Sequence, residues 1–434
     1  MKKNFVAELK WRGMLHDIMP GTEELLNKEM VNGYIGFDPT SDSLGVGNLV
    51  QIMTLLHFQK AGHKPIALIG GATGMVGDPS GKSQERNLLS EDVLNHNLAC
   101  QKKQLEKFLD FNCGETSAEI VNNYDWFKAF SFLDFIRDVG KHITVNYMMA
   151  KDSVQSRLES GMSFTEFSYQ LVQGYDFYWL WKNKNVKLQM GGTDQWGNIV
   201  TGTELIRRKA SGEAYAIVTP LIKKSDGTKF GKTEDGNVWL DPGKTPPLEF
   251  KNFWLNASDE DVKTYIRIFS LLDKESIEGL EKEHFKDPGK KILQKALARE
   301  ITIRVHSQEE FDRTEGNVEL FSVKSIEDFN SVYSTPDKFQ KMASSGVTTY
   351  DVTTDEIHEL KTGIPLVDYL SKKHASIFGS KGEIRKLIQG GGISVNFEKV
   401  TDVNYTLSDK NILVNHKAIL IKKGKKEFIL HLIK

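Results

Sequence analysis

The chain has 434 residues, with 57 Lys+Arg against 58 Asp+Glu, 39% hydrophobic and 26% charged residues. These values are ordinary for a globular protein, and the length exceeds one typical core, so two or three domains are expected. The longest apolar runs, such as Ile66-Ala67-Leu68-Ile69, are strand-length, so no membrane span is expected, and the charged start (Glu8, Lys10) lacks the apolar stretch of a signal peptide.

The two cysteines, Cys100 and Cys113, sit in no Cys-x-x-Cys pair and near no histidine pair. A disulfide framework or structural zinc site is therefore not expected, and a reducing cytoplasm fits. The formal charge of −1 hides an asymmetry. From Lys361 onward there are 14 Lys+Arg against 6 Asp+Glu, while the rest of the chain has 43 against 52. A basic tail on an acidic body points to an anionic partner, nucleic acid first. For the run Lys422-Lys423-Gly424-Lys425-Lys426, a solvated face is an equally good reading.

The first half reads as α/β. Tyr34-Ile35-Gly36-Phe37, Ile66-Ala67-Leu68-Ile69 and Lys187-Leu188-Gln189-Met190 are strand candidates, each ending near glycine. Between the first two, Leu49, Ile52, Met53, Leu55 and Leu56 place a buried helix from Asn48 to Gln59. Strand, helix, strand implies a Rossmann-like parallel sheet with ligands at its carboxyl ends. The prolines of residues 242–247 end this first domain, residues 1–241. An α-helical domain follows over 242–325, with helices at Asp261–Leu272 and Lys291–His306. Residues 326–360 read as a linker, and residues 361–434 as a small basic α+β module.

Two phosphate motifs nearly fit and fail. Gly81-Lys82-Ser83 mimics the end of a P-loop, but Val76 stands where its first glycine belongs. Gly45-Val46-Gly47 opens a helix, but Val50 replaces the third glycine of a dinucleotide fingerprint. A glycine-opened helix start can still hold anions on its free backbone N–H groups. Downstream, Lys229-Phe230-Gly231-Lys232-Thr233 places two lysines three apart, able to reach adjacent phosphates.

Asp38-Pro39-Thr40, Gly45-Val46-Gly47-Asn48, Gly191-Gly192-Thr193-Asp194-Gln195 and Lys229-Phe230-Gly231-Lys232-Thr233, in that order, resemble a class I aminoacyl-tRNA synthetase. The surrounding residues narrow the resemblance to the bacterial-type tyrosyl-tRNA synthetase family, along essentially the whole chain. Two positions depart from that family: Gly45 and Asn48 replace the histidines of its first motif. The asparagine amide can still donate a hydrogen bond and cap the helix. Gly45 offers the phosphates no side chain.

The resemblance implies that Tyr34 and Asp176 hydrogen-bond a tyrosine phenol. It further implies that Asp78, Tyr169 and Gln173 bind the ammonium, with Asn123 and Gln189 nearby, and that Gln195 meets the carboxylate. Gly36, Asp38, Gly45, Gly47, Asn48, Gly192, Asp194 and Lys232 would contact ATP. Thr40, Lys82, Arg86, Lys229, Lys232 and Thr233 would stabilise charge on the phosphates. Tyr169, Gln173 and Asp176 stand at i, i+4 and i+7, one face of a helix.

The implied activity is tyrosine–tRNA ligation through tyrosyl-adenylate, with ATP as substrate, Mg²⁺ carried by ATP, no protein-bound structural metal, tRNA(Tyr) as partner and a cytoplasmic homodimer. Tryptophanyl-tRNA synthetase is the near alternative, against which the Tyr34/Asp176 pair argues. An RNA-binding protein on a synthetase scaffold and an adenylyltransferase that does not charge tRNA remain the readings from other classes.

Overall fold

The computed structural model describes residues 4–80, 89–155, 161–233, 236–344, 347–413, 415–424 and 427–433. The chain divides into two compact units, Met1–Val305 and His306–Lys434.

The first unit is built on a six-stranded sheet: β1 (Asp17–Ile18), β2 (Asn32–Phe37), β3 (Lys64–Ile69), β4 (Glu119–Asn122), β5 (Val186–Gly192) and β6 (Tyr215–Thr219). The spatial order is β1-β6-β5-β2-β3-β4. All neighbours run parallel except β1 against β6. The chain builds rightward from β2 through β4, then crosses back to place β5 on the other side of β2. That reversal makes the β2/β5 boundary a switch point, where a crevice opens at the strand carboxyl ends.

Helix α1 (Leu49–Lys60) buries Leu49, Val50, Ile52, Met53, Leu55, Leu56 and Phe58, more faces than an amphipathic helix would, because it connects two central parallel strands. Helix α2 (Phe164–Lys184) starts where the Ser163 hydroxyl accepts from the Glu166 N–H, and ends at Asn185 in the left-handed region. It packs on α3 (Trp196–Ala210) at a close crossing. A Cβ on Gly202 of α3 would stand 2.9 Å from the Phe177 side chain, so only glycine lets the helices approach this far.

After the proline-rich stretch come four helices: α4 (Pro247–Leu255), α5 (Asp259–Phe269), α6 (Lys274–Lys286) and α7 (Ile292–Val305). Their apolar faces join the same core as α1, through Phe250, Trp254, Ile266, Phe269 and Leu297. Arg12, 2% exposed, is a tie. Its guanidinium donates to the carbonyls of Arg267 (2.6 Å), Ser270 (3.0 Å) and Leu272 (2.7 Å), satisfying acceptors that the end of α5 leaves open.

The second unit holds a five-stranded sheet in the order Glu398–Val400, Ile393–Val395, Ala418–Lys423, Glu427–Ile433, Thr348–Val352, with the last pair parallel. Period-2 alternation feeds two cores. Ile419, Ile421 and Ile429 face helices Leu366–Lys373 and Lys381–Gln389, while Leu420, Phe428 and Leu430 face Phe329, Tyr333 and Met342. The stretch 326–360, expected as a linker, thus carries two helices, an edge strand, most of a third helix (Thr354–Thr362) and part of a core. Its elements are short and draw their stability from non-local pairing, which leaves little local pattern.

Candidate active site

A cavity of about 560 Å³ opens at the carboxyl ends of β2 and β5. Its wall includes Tyr34, Gly36, Asp38, Thr40, Gly47, Asn48, Asp78, Tyr169, Gln173, Asp176, Gln189, Gly192, Asp194, Gln195 and Lys229. The sheet register places Tyr34 of β2 opposite Gln189 of β5, and α2 brings in Tyr169, Gln173 and Asp176 from one face. Gly36 leaves one strand position in the wall without a side chain.

Asp176 is 1% exposed. Its Oδ2 accepts from Asn123 Nδ2 at 3.0 Å and its Oδ1 from the Trp126 indole N–H at 2.9 Å. Burial drives its carboxyl up to about 8; the two donors oppose this shift, and the Asp38 charge adds to it. Trp126 is in turn stacked on Trp179, with centroids 4.2 Å apart. The Tyr34 hydroxyl, buried beside Asp176, has no hydrogen-bond partner among the described residues. Burial and then the Asp176 charge push its pKa well above that of an ordinary phenol, so it stays a neutral donor and acceptor.

Asn123 lies behind this pair rather than in the wall. Its Oδ1 accepts from the Ala72 N–H (2.7 Å) and its Nδ2 also donates to Thr73 Oγ1 (3.2 Å). Thr73 donates to Asp38 Oδ1 at 2.8 Å, and the Tyr169 hydroxyl donates to Asp38 Oδ2 at 3.1 Å. A continuous hydrogen-bond chain therefore runs from Asp176 through Asn123 and Thr73 to Asp38. Asp78 accepts from Gln195 Nε2 (2.7 Å) and from the Ser80 N–H (2.9 Å).

Charge in the wall is segregated. Asp38, Asp78, Asp176 and Asp194 supply the carboxyl groups, and among the described residues the lining cations are Lys223 and Lys229 of one loop. That loop turns at Gly227 (φ +80°), with Asp226 Oδ1 accepting from the Thr228 N–H and hydroxyl. Phe230 anchors it, stacking on Phe269 at 5.2 Å and meeting Trp254, Tyr265 and Phe253.

The glycine turn that opens α1 is closed by Asn48, whose Oδ1 accepts the Gly45 N–H at 3.0 Å. The amide thus caps its own turn through its oxygen. Gly45 is outside the lining set, and a Cβ there would stand 3.3 Å from the Val238 carbonyl. Lys232 is exposed and also outside the lining. Lys82 and Arg86 fall outside the described residues, as does the Thr233 side chain. Sequence reasoning missed Gln51, Thr73, Trp126, Lys223 and the anchoring role of Phe230. Of these only Phe230, between two singled-out lysines, carried any sequence signal.

Residues 26–321 match the model of tRNA synthetases class I (W and Y), and residues 343–431 match the tyrosine–tRNA ligase SYY-like C-terminal domain. The chain is 55% identical over 433 residues to the tyrosine–tRNA ligase of Cytophaga hutchinsonii, covering 99% of each. It is 55% identical over 438 residues to that of Bacteroides thetaiotaomicron, covering 99% of this chain and 100% of the relative. Among solved structures, it is similar to a C-terminally truncated mitochondrial tyrosyl-tRNA synthetase of Aspergillus nidulans, with TM-score 0.65, 30% identity and coverage of 73% of this chain and 94% of that one. A fold of two units with this sheet order, a cavity at its switch point and similarity end to end lead to one assignment: the chain belongs to the tyrosine–tRNA ligase family of class I tRNA synthetases.

Proposed function

We propose that this chain activates L-tyrosine with ATP, giving tyrosyl-adenylate and pyrophosphate, and transfers the tyrosyl group to the 3′ end of tRNA(Tyr). The observation carrying this reading is the polarity of the cavity: an unpartnered phenol beside a buried acid at the floor, carboxylates in the middle and lysines on one loop. A tyrosine phenol satisfies Tyr34 and Asp176, its ammonium meets Asp78, Tyr169 and Gln173, and Gln195 orients its carboxylate. Phenylalanine would leave the buried Tyr34 hydroxyl unpaired, which costs about 1–3 kcal/mol, and would give Asp176 nothing beyond its Asn123 and Trp126 donors.

In the first step a tyrosine carboxylate oxygen attacks the α-phosphorus, and the bond to the bridging oxygen of the β-phosphate breaks. No enzyme nucleophile is needed. Gly36, Asp38, Gly47, Asn48, Gly192 and Asp194 position the nucleotide, and Thr40, Lys82, Arg86, Lys229 and Lys232 meet the charge developing on the pyrophosphate. Mg²⁺ arrives with ATP and supplies further charge neutralisation at the phosphates.

The helices from residue 242 and the basic module at 361–434 hold the tRNA, with binding weakened by salt. The active form is a cytoplasmic homodimer. Phe132, Leu133, Ile136, Val145 and Phe164, 45–77% exposed, form an apolar set suited to a second copy.

Tyrosine-dependent ATP–pyrophosphate exchange, with phenylalanine and tryptophan as controls, tests the reading. Exchange with tyrosine alone supports it. No exchange in a chain that still binds RNA would favour a binding protein in which Gly45 has ended catalysis.

A further inference from the structure

The loop that brings Lys223 and Lys229 to the cavity wall is tied within itself. Lys223 and Lys229 pair as an antiparallel bridge, and the Lys224 N–H donates to the Thr228 carbonyl at 3.1 Å. The Lys224 ammonium closes the base, donating to the Lys232 carbonyl at 3.2 Å. Such internal bonds shape a loop but cannot aim it at a site. Aim needs contacts with the body of the protein.

Those contacts come from one stripe of α5. Asp261, Tyr265 and Phe269 stand at i, i+4 and i+8, on one face of the helix. Phe230 stacks on Phe269 with centroids 5.2 Å apart and meets Tyr265 at 5.0 Å, which seats the later half of the loop. The earlier half, from Ser225 to Lys229, is exposed. It reaches the same stripe at its upper end: Asp261 Oδ1 accepts the Ser225 N–H at 2.8 Å, and the Ser225 and Ser258 hydroxyls lie 3.3 Å apart.

By pattern, Asp261 belongs to its own helix. Ser258-Asp259-Glu260-Asp261 reads as a capping box, and the Ser258 hydroxyl does accept the Asp261 N–H at 3.0 Å. The carboxylate should then return to the Ser258 N–H. It turns outward instead, to a backbone N–H 36 residues earlier. Water could satisfy an exposed Ser225 N–H, so this bond relieves no buried group; what it supplies is placement. We infer that Asp261 is a positioning residue for the activation step, fixing the turn so that Lys223 and Lys229 face the departing pyrophosphate. It has no part in holding tyrosine. Transfer to tRNA handles no pyrophosphate, so that step does not need the latch. The inference rests on the tyrosine-activating reading of the cavity.

The test compares the intact chain with Asp261→Ala and Asp261→Asn in two assays: tyrosine-dependent pyrophosphate exchange, and single-turnover transfer to tRNA(Tyr) from tyrosyl-adenylate already formed on the protein. Asp261→Ala should lower the exchange kcat roughly three- to tenfold, the value of one hydrogen bond at an exposed site, with the KM for tyrosine and the transfer rate unchanged. Asp261→Asn keeps an oxygen to accept the Ser225 N–H and should recover most of the rate. An unchanged kcat in Asp261→Ala, equal slowing of both steps, or an Asp261→Asn protein as slow as Asp261→Ala would overturn the inference and leave the activity standing. Absence of tyrosine-dependent exchange in the unmodified chain would instead sink the underlying reading.

Discussion

Gly231 lies directly against Val46: with φ +82°, a Cβ at residue 231 would stand 2.9 Å from Val46 Cγ2 and 3.4 Å from the Gly47 nitrogen. Val238 joins the two turns, donating its N–H to the Gly231 carbonyl (3.0 Å) and accepting the Val46 N–H (3.0 Å). Two glycine-bearing motifs nearly two hundred residues apart in sequence are thus one packed unit at the cavity mouth. Gly231→Ala imposes a left-handed conformation on a residue with a Cβ, at about 1–2 kcal/mol, and pushes against Val46. The exchange kcat should fall roughly tenfold with the KM for tyrosine unchanged; an unchanged kcat would show that the contact does not matter to catalysis.

Phe230 fixes the same loop from the other side, in the aromatic cluster of Phe253, Trp254, Tyr265 and Phe269. Phe230→Ala removes these contacts and costs about 2–3 kcal/mol of loop anchoring. Limited proteolysis should then cut near residues 223–236, and Phe230→Leu should restore most of the protection. Equal protection in all three proteins would contradict this.

Asp176 makes the free protein less stable as pH rises. Its carboxyl is near 3.8 when unfolded and about 8 when folded, so stability is full below 3.8 and declines as pH climbs toward 8. Asp176→Asn should remove that slope. It should stabilise the free chain at pH 8 by roughly 1–3 kcal/mol while sharply weakening tyrosine binding. Urea unfolding at pH 5 and pH 8 checks this, and an identical pH slope in both proteins would count against it.

The second unit has the opposite dependence. His374 and His431 share a buried Nε2–Nε2 hydrogen bond of 2.8 Å, which needs at least one ring neutral to supply the acceptor and is lost when both are protonated. Tyr350 and Tyr369 pack on the pair, with Glu356 and Lys373 beside it. Burial lowers both histidines, His431 to about 3, so stability present above 6.5 is lost as pH falls from there. All seven tryptophans lie before residue 306, so their fluorescence reports the first unit alone. Amide hydrogen exchange within Glu427–Ile433 should accelerate between pH 6.5 and pH 4 beyond the intrinsic trend, and His431→Phe should flatten that change. A flat profile in the unmodified chain would contradict it.

Phe132, Leu133 and Phe164 are each more than 60% exposed. If they seat a second copy, the double variant Leu133→Asp, Phe164→Asp should sediment as a monomer, with the unmodified chain a dimer at micromolar concentration. Monomeric unmodified protein would refute the proposed assembly.

The β2-α1-β3 unit was legible because its buried runs are continuous and bounded by glycine, and parallel strands leave little else for such runs to be. The helix face of Tyr169, Gln173 and Asp176 was legible from spacing, and it lines the cavity as one set. The strand Thr348–Val352 was not, since its sequence TTYDV is mostly polar and its pairing partner lies about eighty residues downstream. Trp126 and Gln51 were missed for a related reason. An indole or amide looks the same in sequence whether it packs a core or holds a polar group of the site, and only the acceptor across the fold separates the two. Asn48 shows the limit of local logic: capping was foreseen, but the structure spends the amide oxygen on Gly45.

If the tyrosine pocket and the phosphate loop serve one reaction on tRNA, the full chain must charge it. The direct measurement is charging of a tRNA(Tyr) transcript with labelled tyrosine and ATP by the full chain. ATP-dependent label at the 3′ end is expected with tyrosine and none above background with phenylalanine. Transcript that binds the protein but acquires no label would contradict it.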